Sequence, residues 1–469
     1  LDAGSLSNRG GKIVQTGTDA GSVTVGGLLD NTTGAIASNG NLSIATGSLG
    51  NQGGSIRSAG TASLSLTTTD LLDNSHSGVI GSGGDLSLHA GRLSNDAGSV
   101  TAVGNLDATV SGAASNVAGT LAANGNTTLA AGSLDNTQGT MAAVTGDLSV
   151  ATSGTTTNTQ GTLQAAGRTS LVNAAFVNTQ GKVTGNAFSV NTNGGALDNT
   201  LGTLAATTTV DLQSGALTND KGLIQSGGAM TVNTHGQALA NTNAAGHSSS
   251  QGGIVSGGTL ALNTGATDNT AGFIGANDAL TATTWGFTNA AGGIVLGQAD
   301  VAIGTNGTTY DNRGGKTLAV GNLGIDAGGG TVQNSGALLR SGGTTTVSAG
   351  AVYNTSTLGT DQGIEGQSVA VTAANLNNDS GAIRGDTNAT ITSAGSVSNV
   401  NGLMSAGDTL AIVDPNRASP GAKALSVVNS GGTLTAGKSL QLDAATFSAD
   451  GTLTSGQDLS IALTQNLVN

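Results

Sequence analysis

The chain has 469 residues, 79 of them Gly, with 9% charged and 2% aromatic residues, two Pro, no Cys and a net charge of −13. Scarce Glu, Lys and Arg argue against a helical globular enzyme, the missing Cys against a disulfide scaffold, and the near-absence of Pro against collagen. The acidic balance disfavours nucleic acid as a partner, since phosphate binding needs clustered Lys and Arg, and no apolar run approaches the ~20 residues that cross a bilayer.

From Asn8 onward one signature returns. An Asn followed by Gly three residues later stands at Asn31, Asn95, Asn116, Asn136, Asn158, Asn178, Asn199, Asn219, Asn269, Asn289, Asn378 and Asn399. Looser copies stand at Asn8, Asn51, Asn74, Asn241, Asn312, Asn334, Asn354 and Asn429. Sixteen of the 19 gaps between these anchors are 20–23 residues; the others are 24, 28 and 30. Two residues before each anchor runs an apolar column, from Leu6, Leu29 and Leu49 through Leu134, Phe176 and Tyr310 to Val427, broken only by Thr156 and Thr267. Five residues after most anchors runs a second, including Ile36, Val100, Leu121, Met141, Ile274 and Ile294. Between them, pairs such as Leu42/Ile44, Leu86/Leu88, Phe188/Val190 and Leu440/Leu442 alternate with polar residues, the pattern of a half-buried strand.

Each unit of about 21 residues therefore carries three short strands joined by Gly, Asn, Thr and Ser turns. One unit alone buries too little apolar surface to offset the entropy of ordering it, so its neighbours must supply the rest. Stacked units make an all-β parallel β-helix of about 22 coils, which at a spacing of ~4.8 Å would extend on the order of 100 Å. The expectation for domain organisation is a single continuous β-helix over 1–469, a fragment of something larger, since the chain starts at Leu1 without Met or a signal-like segment. Asn suits a corner because it tolerates the left-handed conformation, and stacked Asn amides can form a hydrogen-bonded ladder.

The segments LDNTTGAIASNGNLSIATGSLGNQGGSIRSAG (29–60) and SLDNTQGTMAAVTGDLSVATSG (133–154) resemble the haemagglutinin repeats of the filamentous haemagglutinin family, the large exoproteins of bacterial two-partner secretion. The resemblance covers nearly the whole chain. It implies a right-handed β-helix, export through an outer-membrane transporter partner recognised by a region absent from this sequence, and a place in the secreted, cell-surface fraction. It also implies a role as an adhesin or as the carrier of a contact-dependent growth-inhibition toxin. The Asn-Pro-Asn motifs of the family's secretion domain are missing, as is the Val-Glu-Asn-Asn motif that precedes its toxins.

Two insertions break the repeat, near 242–252 and 413–424, the second holding Pro415 and Pro420. Insertions in solenoids project as loops from one face. His247 lies in the first. Phe176, Phe287 and Tyr310 fall in the inward column, Tyr310 needing a partner for its hydroxyl there, whereas Trp285, Phe273 and Tyr353 fall outside it. Trp285 and His247 are the candidate binding residues, for a target-cell receptor or glycan.

No catalytic pattern emerges. The acids are dispersed, many just before an anchor (Asp30, Asp73, Asp135, Asp198), and Glu365 is the only Glu. The four His lack partners at ligand spacing, so neither a metal nor a cofactor is expected. Three readings follow. The first is a rigid surface stalk that presents distal adhesive or toxin domains, and the second is a solenoid that itself binds a receptor or glycan. The third and remotest is a polysaccharide-active enzyme, which would need clustered carboxylates.

Overall fold

Repetition at about 21 residues places each strand beside its own copy in the next turn, and the computed structural model shows that arrangement. It describes residues 1–244, 252–448, 450–465 and 467–468. The chain is a parallel β-solenoid of about 22 turns, divided into two compact units, 1–228 and 229–469. Among the described residues there is no α-helix; one 3-10 turn spans Pro420–Ala422.

In the first unit the turn that starts at Asn95 is representative. Strand Ser99–Ala102 follows the anchor corner, and strand Leu106–Ser115 bends between Val110 and Ala113 to supply the other two sides. The following turn repeats it with Thr120–Ala123 and Thr127–Asp135. Register is set by the apolar residues, because a slip of one residue would turn every inward side chain to solvent. Val100 pairs with Leu121, then Met141, Leu163, Val183, Leu204 and Ile224 in successive turns. The column before the anchors runs Leu72, Leu93, Ala114, Leu134, Thr156, Phe176, Leu197 and Leu217. All of these side chains are buried.

Most polar residues that enter this core keep a hydrogen-bond partner there. Thr156 shares a hydrogen bond with Thr152 (3.0 Å), while Thr127 and Thr169 donate to the carbonyls of Ala142 (2.7 Å) and Thr184 (2.8 Å). A buried hydroxyl that keeps a partner avoids most of its desolvation cost. Thr68 and Asn173 are exceptions: both are buried, and neither the Thr68 hydroxyl nor either side-chain polar atom of Asn173 has a hydrogen-bond partner.

In the second unit Leu239, Thr267, Phe287, Tyr310, Val332 and Val352 continue the same kind of column. The rings of Phe287 and Tyr310 are 5.6 Å apart and tilted by 44°. Tyr310 is fully buried, and its hydroxyl is 2.5 Å from the Thr317 hydroxyl. Burial pushes the phenol well above its ordinary pKa, only partly offset by that hydrogen bond.

One inward assignment is corrected. Ile294 is half-exposed, and Val295 instead occupies the column between Ile274 and Thr317. The corner after Asn289 has two consecutive left-handed residues, Ala291 (φ 50°) and Gly292 (φ 84°), where most corners have one, so the strand starts a residue later. The corner after Asn74 does the same with His76 and Ser77, and Ile80 takes the inward place.

Most corners put a non-Gly residue in the left-handed region two places after the anchor, among them Ala97 (φ 53°), Ala118 (φ 52°) and Gln138 (φ 57°). That conformation costs a residue with a Cβ about 1–2 kcal/mol. Ala118 is exposed, so Ala118→Gly is expected to raise stability by up to about 1 kcal/mol, the relief exceeding the added chain entropy. Ala118→Val should lower it by a similar amount. Chemical denaturation of both variants checks the sign; a less stable Gly variant would mean that the corner carries no strain.

Candidate functional site

The anchor corner has the same chemistry in most turns. The backbone N–H of the Asn bonds the strand end of the next turn, as Asn116 to the Asp135 carbonyl (2.7 Å). In most corners the Gly three residues on closes the turn with an N–H to the anchor's own carbonyl, as Gly119 to Asn116 (3.0 Å); after Asn74 and Asn289 the closure comes one residue later, Gly78 to Ser75 (3.1 Å) and Gly293 to Ala290 (3.0 Å). A Cβ at Gly119 would overlap the Asn95 carbonyl, which accounts for Gly at that place.

The side-chain amides form a chain through the interior. In the first unit the Nδ2 donates to the next Oδ1 at 2.7–2.8 Å from Asn8 through Asn31, Asn51, Asn74, Asn95, Asn116, Asn136, Asn158, Asn178 and Asn199 to Asn219. In the second it runs from Asn241 through Asn269, Asn289, Asn312, Asn334, Asn354, Asn378 and Asn399 to Asn429, at 2.6–2.8 Å. All the anchor side chains are buried. Nothing in this geometry is reactive: every amide is engaged with its neighbour and with backbone carbonyls.

Trp285 lies on the outer surface of the second unit and is 63% exposed. It occupies a corner place that Gly265 holds in the preceding turn, and its N–H bonds the Gly265 carbonyl (3.1 Å). Beside the indole runs a groove of ≈ 590 Å³. Ala238, Ala266 and Gly286 line it, together with Asp268, Thr288 and Asp311, which are paired in register on successive turns. Gly286 sits at φ +125°, where a side chain would be strained. Asp268 accepts an N–H from Thr270 (2.9 Å) through Oδ1. The Asp311 carboxylate holds the Arg313 guanidinium through both oxygens (2.6–3.1 Å). Burial pushes the Asp311 pKa up, but the Arg313 contacts outweigh it and leave the carboxyl below its ordinary pKa. These groove partners escape sequence reading, which treats Asp before an anchor as turn chemistry.

His247 and most of the first insertion lie outside the described residues. The second insertion is built around Asp414, a buried carboxylate that accepts N–H bonds from Asn416 (2.7 Å), Ala424 (2.7 Å) and Leu425 (2.8 Å). Burial opposes its ionisation, yet the three N–H groups and nearby Lys423 hold the pKa below the ordinary value. The nearly buried Lys423 ammonium makes a 2.5 Å ion pair with Asp443, at an angle outside hydrogen-bond geometry. Residues 415–422 remain exposed. A lowered pKa means the carboxylate's contribution is present above the unfolded Asp value and is lost as pH falls through the lower, folded one. Asp414→Asn is therefore expected to make trypsin cleavage after Arg417 several-fold faster at neutral pH, and acid to loosen the parent loop in the same way. Equal cleavage of variant and parent would show that Asp414 does not hold the loop.

A third excursion, 355–362, has no counterpart in the sequence reading beyond the 24-residue gap after Asn354. Glu365 bridges Arg340 (2.7 Å) and Arg384 (2.8 Å) on adjacent turns, and Arg340 reaches Asp361 (2.9 Å). Arg384 also donates to the Gln362 carbonyl (2.9 Å), tying the excursion down. Among the described residues no group of three His, Asp or Glu is placed to hold a metal ion. No described helix is long and apolar enough to cross a membrane.

Compared with known families, the chain matches the haemagglutinin repeat over residues 1–76, 63–118, 101–146, 143–200, 189–254, 288–356, 364–408 and 416–469. No curated protein and no solved structure matches it.

Proposed function

Because the chain belongs to the haemagglutinin-repeat family, we propose that it is the stalk segment of a filamentous haemagglutinin-like exoprotein. In this reading the stacked turns hold distal adhesive or toxin domains away from the producing cell. Such repeats are characteristic of secreted or cell-surface exoproteins, and the family implies a two-partner secretion setting. Passage would use an outer-membrane transporter engaged by another part of the exoprotein. The observation that carries the stalk reading is the uniformity of the anchor corner: turn after turn is satisfied internally, and the chemistry is spent on stacking. The segment is proposed to be non-enzymatic, in keeping with a structural or adhesin family.

In-register excision tests this. Removing 116–198 from the displayed exoprotein takes out four turns and lets Asn95 meet Asn199. A stalk expects shorter reach in electron micrographs and reduced delivery to target cells, with the distal domain still active. Unchanged reach and delivery would sink it.

The second reading, in which the solenoid surface itself engages a receptor or glycan, is favoured by one observation, the exposed Trp285 and its groove.

A further inference from the structure

We propose that the groove beside Trp285 is a subsite for a neutral, linear oligosaccharide lying along the stack of turns. This deepens the second reading and rests on it, and it commits to a ligand class.

An exposed indole forgoes the apolar burial that stabilises every other large ring near it, such as Phe287 and Tyr310. Its place at a corner held by Gly in the preceding turn leaves one face uncovered. Much of the lining beside it is small, including Ala238, Ala266 and Gly286, whose backbone angle keeps it free of a Cβ. A flat aromatic face above a shallow polar trough fits a ring with an apolar C–H face and a rim of hydroxyls, which is a pyranose.

The lining also supplies the matching polar groups. Asp268, Thr288 and Asp311 face outward once per turn, alternating with buried Thr267, Phe287 and Tyr310. Turns recur at about 4.8 Å, close to the length of one hexose in a linear chain, so successive sugars meet successive rungs. Among the described residues the Asp268 Oδ2 has no hydrogen bond, and it is available to accept from a sugar hydroxyl, a charge-assisted bond. Two turns beyond Asp311, along the same row through Gln333, Tyr353 stands 40% exposed as a second aromatic surface.

Charge selects the class. No Lys or Arg lines the groove, and the adjacent Arg313 is committed to Asp311. Sulfated or uronate chains would meet carboxylates, so the fit is to an uncharged glycan.

Trp285 is the only Trp in the chain, so intrinsic fluorescence reports this groove alone. The intact chain is titrated with cellohexaose, laminarihexaose, chitohexaose, maltohexaose and mannohexaose, and with a heparin hexasaccharide. The expected result is a saturable shift with at least one neutral chain and none with heparin. Calorimetric affinity for that chain should fall about tenfold or more in Trp285→Ala and in Asp268→Ala, with circular dichroism unchanged and Trp285→Tyr retaining part of the binding. No saturable response to any neutral hexasaccharide overturns the proposal, as does full affinity in Trp285→Ala or preferential binding of heparin. A parallel assay of target-cell adhesion separates the two levels. Adhesion that depends on Trp285 without oligosaccharide binding rejects the neutral glycan and keeps the surface-binding reading.

Discussion

Asn136→Asp is expected to destabilise the first unit by about 5 kcal/mol or more at neutral pH, although it exchanges only an NH2 group for an oxygen. Asn136 Nδ2 donates to three oxygens: Asn158 Oδ1 (2.7 Å), the Gly139 carbonyl (3.1 Å) and the Thr162 carbonyl (3.3 Å). A carboxylate there turns all three contacts from attraction to repulsion and buries a charge without a counter-ion. Uncompensated charge of this kind costs about 3–5 kcal/mol, and the Asn158 oxygen left without its donor adds about 1–3. Asn136→Ala removes the donor without adding charge. Asn116 keeps its bonds to the Gly119 and Thr140 carbonyls, so a loss of about 2–3 kcal/mol is expected. The order wild type, Ala, Asp in thermal melts, with hydrogen exchange accelerated first between 116 and 162, is the signature of an amide that works as donor and acceptor together. If Asp were tolerated as well as Ala, the amide chain would contribute little to the stacking.

Much of the fold is legible because a solenoid converts sequence period into spatial contact. Leu86 pairs with Leu64 and Leu106, each about one repeat away, so the alternation visible in one turn predicts the neighbours in the next. What was not legible turns on backbone angles. Ile294 reads as inward at five residues after its anchor, and only the second left-handed residue, Gly292, moves the inward place to Val295. The Gly-Gly pair at 292–293 is a signal for this, but His76–Ser77 makes the same double turn with no Gly, so no residue type announces it.

Polar residues in the core hid in a similar way. Thr127 and Thr169 interrupt the apolar alternation, yet each is buried because its hydroxyl reaches a carbonyl on another side of the turn. The groove was the least legible feature. Trp285 could be seen to miss the inward column, but its exposure depends on Gly265 below it and Gly286 after it. Its polar partners come from three different turns, where each Asp or Thr read singly is ordinary turn chemistry. The charge bridge through Glu365 was likewise dispersed: its arginines stand 25 and 19 residues away and meet only when the turns stack.

The dry column itself is tested by Leu134→Asp. Leu134 is buried between Ala114 and Thr156 of the adjoining turns. Removing its side chain alone should cost about 2–5 kcal/mol, and an unpaired carboxylate adds several more, since no cation lies in the column to meet it. Because turns stabilise only their neighbours, the damage should begin locally and appear as a new, earlier transition rather than a uniform shift. Leu134→Met, of similar volume, should cost less than about 1.5 kcal/mol. The pH dependence separates charge from shape. Burial raises the folded-state pKa of the new Asp above its unfolded value of about 3.9, so the folded state holds the proton more tightly. The deficit should therefore be smallest in acid, grow as pH rises through the unfolded value, and level off above the folded one. A deficit that is flat from pH 3 to 8 would assign the loss to packing alone and place water at Leu134, and with it would go the continuous dry core on which the stacking of turns depends.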